Sequence, residues 1–354
     1  MSTIIYLLKA SEGDCFFVRD IDDEGNETLI LIDGGTARTY QTAIKTFIDN
    51  QNIKKIDLVV LTHSDGDHIQ GLVSFFSSEL IKSINIKEYW ANCKDQLKLD
   101  KVPKISFAQV DSFNNEIIKN ESSSVHNKWK DNILFQSDII NIKIGSVDIL
   151  VLSPSEWECK IYKEKWNASI ENISVPASNV STSQLEKGSI EELGKQEFSP
   201  QKTLENDFVN ASSIAFLLRT SKMSILFLAD SRPEVIIKTL SELGYSDKNR
   251  LCVDFVKISH HGSKNNTSIG LLNMIKCKNF IISTHGGVGK SKHPDREVIA
   301  RILSRNKDEG EETNLYFNYP LSEIESRAGK FIMDEECVKN NCRIYDNQSE
   351  IKYE

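Results

Sequence analysis

No stretch of this 354-residue sequence approaches the ~20 consecutive apolar residues that a membrane span requires. Its start, Met1-Ser2-Thr3-Ile4-Ile5-Tyr6-Leu7-Leu8, lacks a basic leader and a cleavage site, so it reads as a first strand and not as a signal peptide. Positive charge is not in excess. The 43 lysine and arginine residues face 51 acidic ones, a net charge of −8 that argues against whole-surface attraction to nucleic acid while leaving room for a local basic groove. Cysteine builds no framework: the seven are odd in number, scattered and often in apolar context, as at Cys15, Cys252 and Cys277. That usage suits reduced thiols in a cytoplasmic protein, and Cys337 and Cys342 lack the matching pair of a zinc knuckle. The remainder, 39% hydrophobic and 27% charged, is ordinary for one large globular domain or two small ones.

The densest chemistry lies between Asp57 and Gly71. In Thr62-His63-Ser64-Asp65-Gly66-Asp67-His68, four metal-capable side chains fall within six positions. An apolar, β-branched stretch over 56–61 precedes them and reads as a buried strand. Apolar residues at helical spacing follow over 69–76. The cluster therefore belongs on a loop at the C-terminal end of a strand, opening a helix. One histidine or aspartate there would be a polar turn with a helix cap. His63, Asp65 and Asp67 alternate, so a tight loop can point them to one side, while Asp67 and His68 can reach a second centre. Imidazole nitrogen and carboxylate oxygen together hold Zn²⁺, Mn²⁺ or Fe²⁺.

Around this loop the pattern predicts strands over 3–8, 15–19 and 28–32, the last ending at Asp33-Gly34-Gly35, and a helix over 40–50. A strand over 83–89 and an amphipathic helix over 107–120 follow, then a loop at 121–124 and a hairpin over 139–152 that stops at Ser153-Pro154. Residues 155–206 form a long polar insertion, to be read as mobile, as a lid or as a partner surface. A second hairpin over 214–228 ends at Ala229-Asp230, and a helix over 233–244 has proline in its first turn. A strand over 253–258 closes on Ser259-His260-His261-Gly262-Ser263, and another over 279–283 ends at Thr284-His285-Gly286-Gly287. Further helices are expected over 268–275 and from His293-Pro294 to 303, with a last short strand at 315–317.

The metal loop resembles the His-x-(His/Asp)-x-Asp-His signature of the metallo-β-lactamase superfamily, with Asp65 in place of the second histidine. The resemblance implies an α/β fold, the αββα four-layer sandwich of two mixed β-sheets with outer helices. It covers a hydrolase domain over 1–320 that carries the 155–206 insertion, and leaves 321–354 as a C-terminal extension of unassigned role. His260-His261-Gly262-Ser263 with Asn266-Thr267-Ser268, Gly13-Asp14-Cys15, Asn210 with Ser213, and His293-Pro294 are similar to the nuclease-like domain of ComEC-type competence proteins, here without the membrane channel. By this resemblance His63, Asp65 and Asp230 serve one ion. Asp67, His68, the bridging Asp230 and a later histidine serve another. His261 is preferred for that last ligand, with His285 and His293 as alternatives. Asp33 and Asn210 support the ligands from behind. Many relatives add a histidine midway between the loop and the bridging aspartate. Only His126 lies there, and it reads as a surface residue because it precedes the hairpin, whereas the relatives' ligand follows the strand that here ends in Ser153-Pro154. The first position is then oxygen-rich and underfilled, which favours Mn²⁺ or Mg²⁺ over Zn²⁺, or one tightly held ion in place of two.

Such a centre performs metal-assisted hydrolysis. Asp67 would orient the nucleophile and His260 would donate a proton to the leaving group. Between Phe255 and Arg305 nine basic residues face two acidic ones, a local reversal in an acidic chain. Lys264, Lys290 and Lys292 lie in the histidine loops, where phosphate oxygens would sit, and Lys292 is placed to steady charge. Asn266 and His293 would add phosphate contacts, while Arg301 and Arg305 read as a solvated helix face. The leading expectation is a metal-dependent phosphodiesterase or nuclease acting on DNA or a nucleotide. The resemblance adds a place in a bacterial defence module, with a protein partner held by the insertion or the tail. A lactone, thioester or β-lactam hydrolase needs no basic rim and is the second expectation. A non-catalytic partner-binding subunit with a partial metal site is the third.

Overall fold

The computed structural model describes residues 1–91, 108–121, 128–129, 141–170, 188–289, 291–308 and 310–353. Two mixed sheets face each other. The first runs, in spatial order, Glu350–Tyr353, Ser2–Leu7, Phe16–Ile21, Glu27–Ile32, Leu58–Val60, Glu88–Trp90 and Lys128–Trp129. The second runs Cys342–Tyr345, Thr313–Phe317, Asn279–Ile282, Phe255–Lys257, Ser224–Phe227, Ala215–Arg219, Val147–Ser153 and Asn141–Ile144. Ile30, Ile32, Val60, Phe216, Phe227 and Ile281 meet between them in one apolar layer. On the outer face of the first sheet, Leu29, Leu31 and Val59 pack under Ile69, Leu72 and Phe75 of the helix Gly66–Phe76. On the outer face of the second, Leu226, Val256 and Phe280 pack under the helices Pro233–Glu242 and Arg296–Asp308. This is the expected αββα sandwich. Covered on both faces, the central strands carry apolar residues at successive positions, which explains their unbroken runs in the sequence.

The segment after residue 320, which sequence reasoning left without a role, supplies an edge strand to each sheet. Cys342–Tyr345 runs parallel to Thr313–Phe317, and Glu350–Tyr353 runs antiparallel to Ser2–Leu7. Both ends of the polar insertion are also built in. Ile190–Gly194 is capped by a reciprocal Ser189–Glu192 pair, and its Ile190 and Leu193 share a core with Ile299 and Leu303. The helix Glu156–Ile170 leans on the metal loop, where the Tyr162 hydroxyl donates to Ser64 Oγ at 3.2 Å.

Several expected elements shorten or split. Residues 40–50 form a π-helical turn, Tyr40–Ile44, before an α-helix, Lys45–Asn50, and the helix expected over 268–275 spans Ile269–Asn273. The loop at 122–124, the hairpin start at 139–140, residues 171–187, His126 and Lys290 lie outside the described residues. Arg301 and Arg305 correct the sequence reading: both are buried, not solvated. Arg301 donates to the carbonyls of Lys264 and Thr267, and Arg305 to that of Ile275, so the two guanidiniums close backbone groups beneath the histidine loop. Among the described residues no helix is long and apolar enough to cross a membrane.

Candidate metal centre

The strand Leu58–Val60 is buried between parallel neighbours and delivers the chain to the loop at 62–65. The helix Gly66–Phe76 then starts with Asp65 as its extended N-cap. Two glycines let this unit seat. A Cβ on Gly71 would lie 1.8 Å from the Gly34 carbonyl oxygen, and one on Gly13 would lie 1.7 Å from that of Asp67. The second half of the chain supplies the facing groups. Asp230 follows the strand Ser224–Phe227 through Ala229, which holds a left-handed φ of 48°. His260 and His261 follow Phe255–Lys257, with φ of 48° and 55°. Two consecutive left-handed histidines are costly, and a site that uses both side chains explains why the fold holds them there.

Four imidazoles converge on one carboxylate. His63 Nε2 is 3.7 Å from Asp230 Oδ2, His260 Nε2 3.7 Å and His261 Nε2 3.8 Å from the same oxygen, and His68 Nε2 3.6 Å from Oδ1. Asp67 Oδ2 is 3.3 Å from His261 Nε2, and Asp65 Oδ2 is 3.8 Å from His63 Nε2. The donors His63, His68 and Asp230 lie within 4.8 Å of one another, and so do those of Asp67, His68 and His261.

Each ring's other nitrogen is spoken for. The Thr62 hydroxyl donates to Asp33 Oδ2 at 2.7 Å, so it accepts from His63 Nδ1–H at 3.1 Å. His68 Nδ1–H donates to Asp33 Oδ2 at 2.8 Å, and His261 Nδ1–H to the Ser283 carbonyl at 2.9 Å. Asn266 Nδ2 donates to the Asp230 carbonyl at 2.9 Å, which turns its Oδ1 to accept from His260 Nδ1–H at 3.0 Å. With Nδ1 a donor in every case, a neutral ring presents its Nε2 lone pair to the centre. Asp33 thereby steadies two imidazoles at once, His68 directly and His63 through Thr62. Removing its carboxylate by Asp33→Ala should weaken metal affinity about 10–100-fold, read by titration of the metal-free protein with Zn²⁺ or Mn²⁺.

The Nε2 atoms of His63, His68 and His261 and Oδ1 of Asp230 are buried without a hydrogen-bond partner. Orphaned polar atoms facing one another in the interior are expensive unless a cation takes their lone pairs. The residues fit a divalent ion. Their charges fit one as well. Burial opposes ionisation throughout. At His261 it is outweighed by Asp230 and Asp14, which push the imidazole up to about 10. At His68 it is outweighed by Asp230, Asp33 and Asp67, which hold the ring well above the ordinary range. Burial would raise Asp230, but His260, His68 and His261 hold it well below the usual carboxylate range. Burial, helped by His68, pushes His63 the other way, down to about 3, and burial also lowers His260, so the centre pairs two rings that favour a proton with two that do not.

Two residues outside the expected set stand directly behind the ligands. Lys257, in the strand Phe255–Lys257, is buried in an ion pair with Asp14 and lies 4.0 Å from Asp230 Oδ1. Asp14 Oδ1 is 3.4 Å from His261 Nδ1. The clue to Asp14 was the Gly13-Asp14-Cys15 stretch. The clue to Lys257 is a lone lysine inside the apolar run Phe255-Val256-Lys257-Ile258.

The expected phosphate contacts do not gather at the centre. Asn266 is buried, with both ends of its amide used on Asp230 and His260, so it positions a histidine. The Lys264 ammonium turns to Glu297 at 3.6 Å. His293 stands at the edge, its ring 5.5 Å from that of His260 and its Nδ1 3.4 Å from Asp295. Lys292 is half-buried and makes no ion pair among the described residues. His285, one alternative late ligand, faces Glu12 at 3.6 Å. Asn210 donates to Asp207 at 3.1 Å and lies 3.5 Å from His260 Nδ1. Because that nitrogen is already a donor, Asn210 borders His260 and does not hold it.

Two sheets with outer helices, and a histidine–aspartate centre at the C-terminal ends of strands from both halves, define the metallo-β-lactamase fold. Residues 9–132, the segment that carries the metal loop, match the family described as the Metallo-beta-lactamase superfamily. Solved structures to which the chain is similar include the metallo-beta-lactamase fold protein YhfI from Bacillus subtilis, at 9% identity over 100% of both chains with a TM-score of 0.43. A diphosphatase from the PhnP family aligns at 10% identity over 99% of this chain and 97% of the other, with a TM-score of 0.40. The mono-zinc form of the metallo-β-lactamase FIM-1 from Pseudomonas aeruginosa aligns at 10% identity over 47% and 84%, with a TM-score of 0.19. Comparison with curated proteins finds no match.

Proposed function

We propose that this protein is a metal-dependent phosphodiesterase acting on a nucleic acid or a nucleotide. The observation that carries the proposal is the convergence of the four Nε2 atoms on Asp230, which closes one group of donors with His63 and His68 and lies 3.8 Å from His261 of the adjoining group. A carboxylate shared between two ion positions suits in-line displacement at phosphorus, where the attacking and the leaving oxygen both need charge stabilised. His63, Asp65 and Asp230 would hold one ion, and Asp67, His68, His261 and Asp230 the other. Bound there, Zn²⁺, Mn²⁺ or Mg²⁺ supplies Lewis acidity to a phosphoryl oxygen and activates water. The chain's own part is to orient. Asp67 lies beside His261 and is placed to direct the attacking water, and Asp33 and Thr62 fix two imidazoles. The similarity of the His260–Ser263 stretch and of Gly13-Asp14 to the ComEC-type nuclease-like domain supports the phosphodiester class.

The cations turned inward bear on how substrate is held. Lys257, Lys264, Arg296 and Arg301 each pair with a carboxylate inside the protein. These four cations are therefore not offered to phosphates. The rate on a DNA substrate should fall only gently with salt, with a log–log slope of about −1 to −2. The same inward turn favours, as a second reading, a lactone, thioester or β-lactam hydrolase.

The test is hydrolysis by the purified protein, loaded with Mn²⁺, Mg²⁺ or Zn²⁺, of plasmid, single-stranded DNA and bis-p-nitrophenyl phosphate, with lactone and β-lactam controls. Phosphodiester cleavage that disappears in Asp67→Ala and His68→Ala supports the proposal. Turnover of the controls alone transfers the assignment to the second reading. Silence with every metal, together with stable capture of a protein partner, would make the centre a binding element.

A further inference from the structure

We infer that His260 is a metal ligand, not a proton donor: it completes the first ion position in place of a residue the strand end Ser153-Pro154 does not supply. This rests on the metal-centre reading above and deepens it. Ser153 ends its strand buried, donating to the Ser213 carbonyl at 2.7 Å and accepting from Ala215 N–H at 3.2 Å. The next residue, Pro154, has no side-chain donor. The corner of the site filled in many relatives from this strand therefore offers nothing here.

His260 faces the same carboxylate from the other half of the chain. Its Nε2 is as far from Asp230 Oδ2 as is that of His63, 3.7 Å in each case. Consecutive side chains do not ordinarily address one point. The left-handed backbone at both positions makes it feasible here, and the rings of His260 and His261 stand 5.8 Å apart at 89°. His261 Nε2 is thereby directed to Asp67 as well as Asp230 Oδ2, and His260 Nε2 reaches the same Asp230 oxygen. The tautomer is set by Asn266. Its amide cannot turn over, because Nδ2 is bound to the carbonyls of Asp230 and Ser231, so Oδ1 holds the proton of His260 on Nδ1. A neutral ring held this way offers its Nε2 lone pair, the form a metal takes. A general acid needs a hydrogen on that atom. Pinning of Nδ1 by a second residue is also the usual way a protein orients a ligating imidazole. The first position then comprises two imidazoles, His63 and His260, and two carboxylates, Asp65 and Asp230. That set favours Zn²⁺ or Mn²⁺ over the Mg²⁺ of an oxygen-only site.

The experiment is metal titration and elemental analysis of the full-length protein, stripped and reloaded with Zn²⁺ or Mn²⁺, for wild type, His260→Asn and Asn266→Ala. Asparagine tolerates the left-handed backbone, so His260→Asn keeps the turn while withdrawing the donor. Thermal denaturation of the stripped proteins checks the fold. Relative to wild type, His260→Asn should lose about one ion per chain, or bind its weaker ion about 100-fold less tightly, and Asn266→Ala should weaken the same event by about 10-fold. Unchanged stoichiometry and affinity in His260→Asn, with hydrolysis lost, would return His260 to the role of proton donor and overturn the inference. A wild-type protein that binds no ion, indistinguishable in titration from Asp230→Asn, would instead bring down the metal-centre reading itself.

Discussion

Asp230→Asn should empty most of the centre and remove nearly all hydrolysis. This side chain is the common neighbour of His63, His68, His260 and His261, at 3.6 to 3.8 Å, and its Oδ1 has no hydrogen-bond partner. The amide keeps the shape but supplies one oxygen and no charge. Each ion position loses its shared ligand, and Lys257 keeps only Asp14 as counter-charge. Metal content should fall from about two ions to at most one, and kcat/KM on bis-p-nitrophenyl phosphate by on the order of 10³-fold, because a bound ion supplies several kcal/mol of charge stabilisation. Elemental analysis with steady-state kinetics reads both. A variant with wild-type metal and wild-type rate would remove Asp230 from the site.

Metal affinity should climb steeply with pH, and with it the stabilisation that metal confers. Burial disfavours charge on His68 and His261, yet their carboxylate neighbours win, raising His68 well above the ordinary range and His261 to about 10. At neutral pH both rings are protonated in the metal-free protein, and a metal must displace those protons to use Nε2. Each displaced proton strengthens apparent affinity by up to about tenfold per pH unit, until the pH passes the folded pKa. The sign for the metal-free fold is the opposite. A raised histidine contributes stability in full below the unfolded value near ~6.5, and that contribution is lost as pH rises toward about 10. The rise in melting temperature on adding Zn²⁺ should therefore be larger at pH 8.5 than at 6.5. Calorimetric titration in buffers of different ionisation enthalpy should show release of up to about two protons. Affinity independent of pH over that interval would contradict the protonated resting state.

Local order explains what was legible. His63, Asp65, Asp67 and His68 occupy one strand–loop–helix unit, so their spacing alone directs them to one place. The central strands were equally plain, because burial on both faces leaves runs such as Leu29-Ile30-Leu31-Ile32. The tail was not legible, for the converse reason. Cys342–Tyr345 and Glu350–Tyr353 are edge strands, half-buried and rich in polar residues, and their partners lie at 313–317 and at 2–7. A strand that pairs at an edge carries little apolar signal of its own.

Side-chain direction was the other gap. A lysine written beside a histidine motif looks like a phosphate contact, yet Lys264 turns to Glu297, and Lys257 is drawn inward by Asp14 and Asp230. Asn266 was read by its chemistry as a phosphate donor, and the Asp230 carbonyl claims it instead. The amino-acid sequence by itself determined the run of strands and helices and the four-residue metal loop, because these follow from short-range spacing and hydrophobic pattern, while the layered fold and the place of Asp230 came from the resemblance. Only the tertiary structure decided that both His260 and His261 face Asp230, that Asp14 and Lys257 stand behind it, and that Lys264, Arg296 and Arg301 pair within the protein. Those outcomes depend on which groups from distant segments meet in a medium too poor in water to leave any charge or lone pair unanswered.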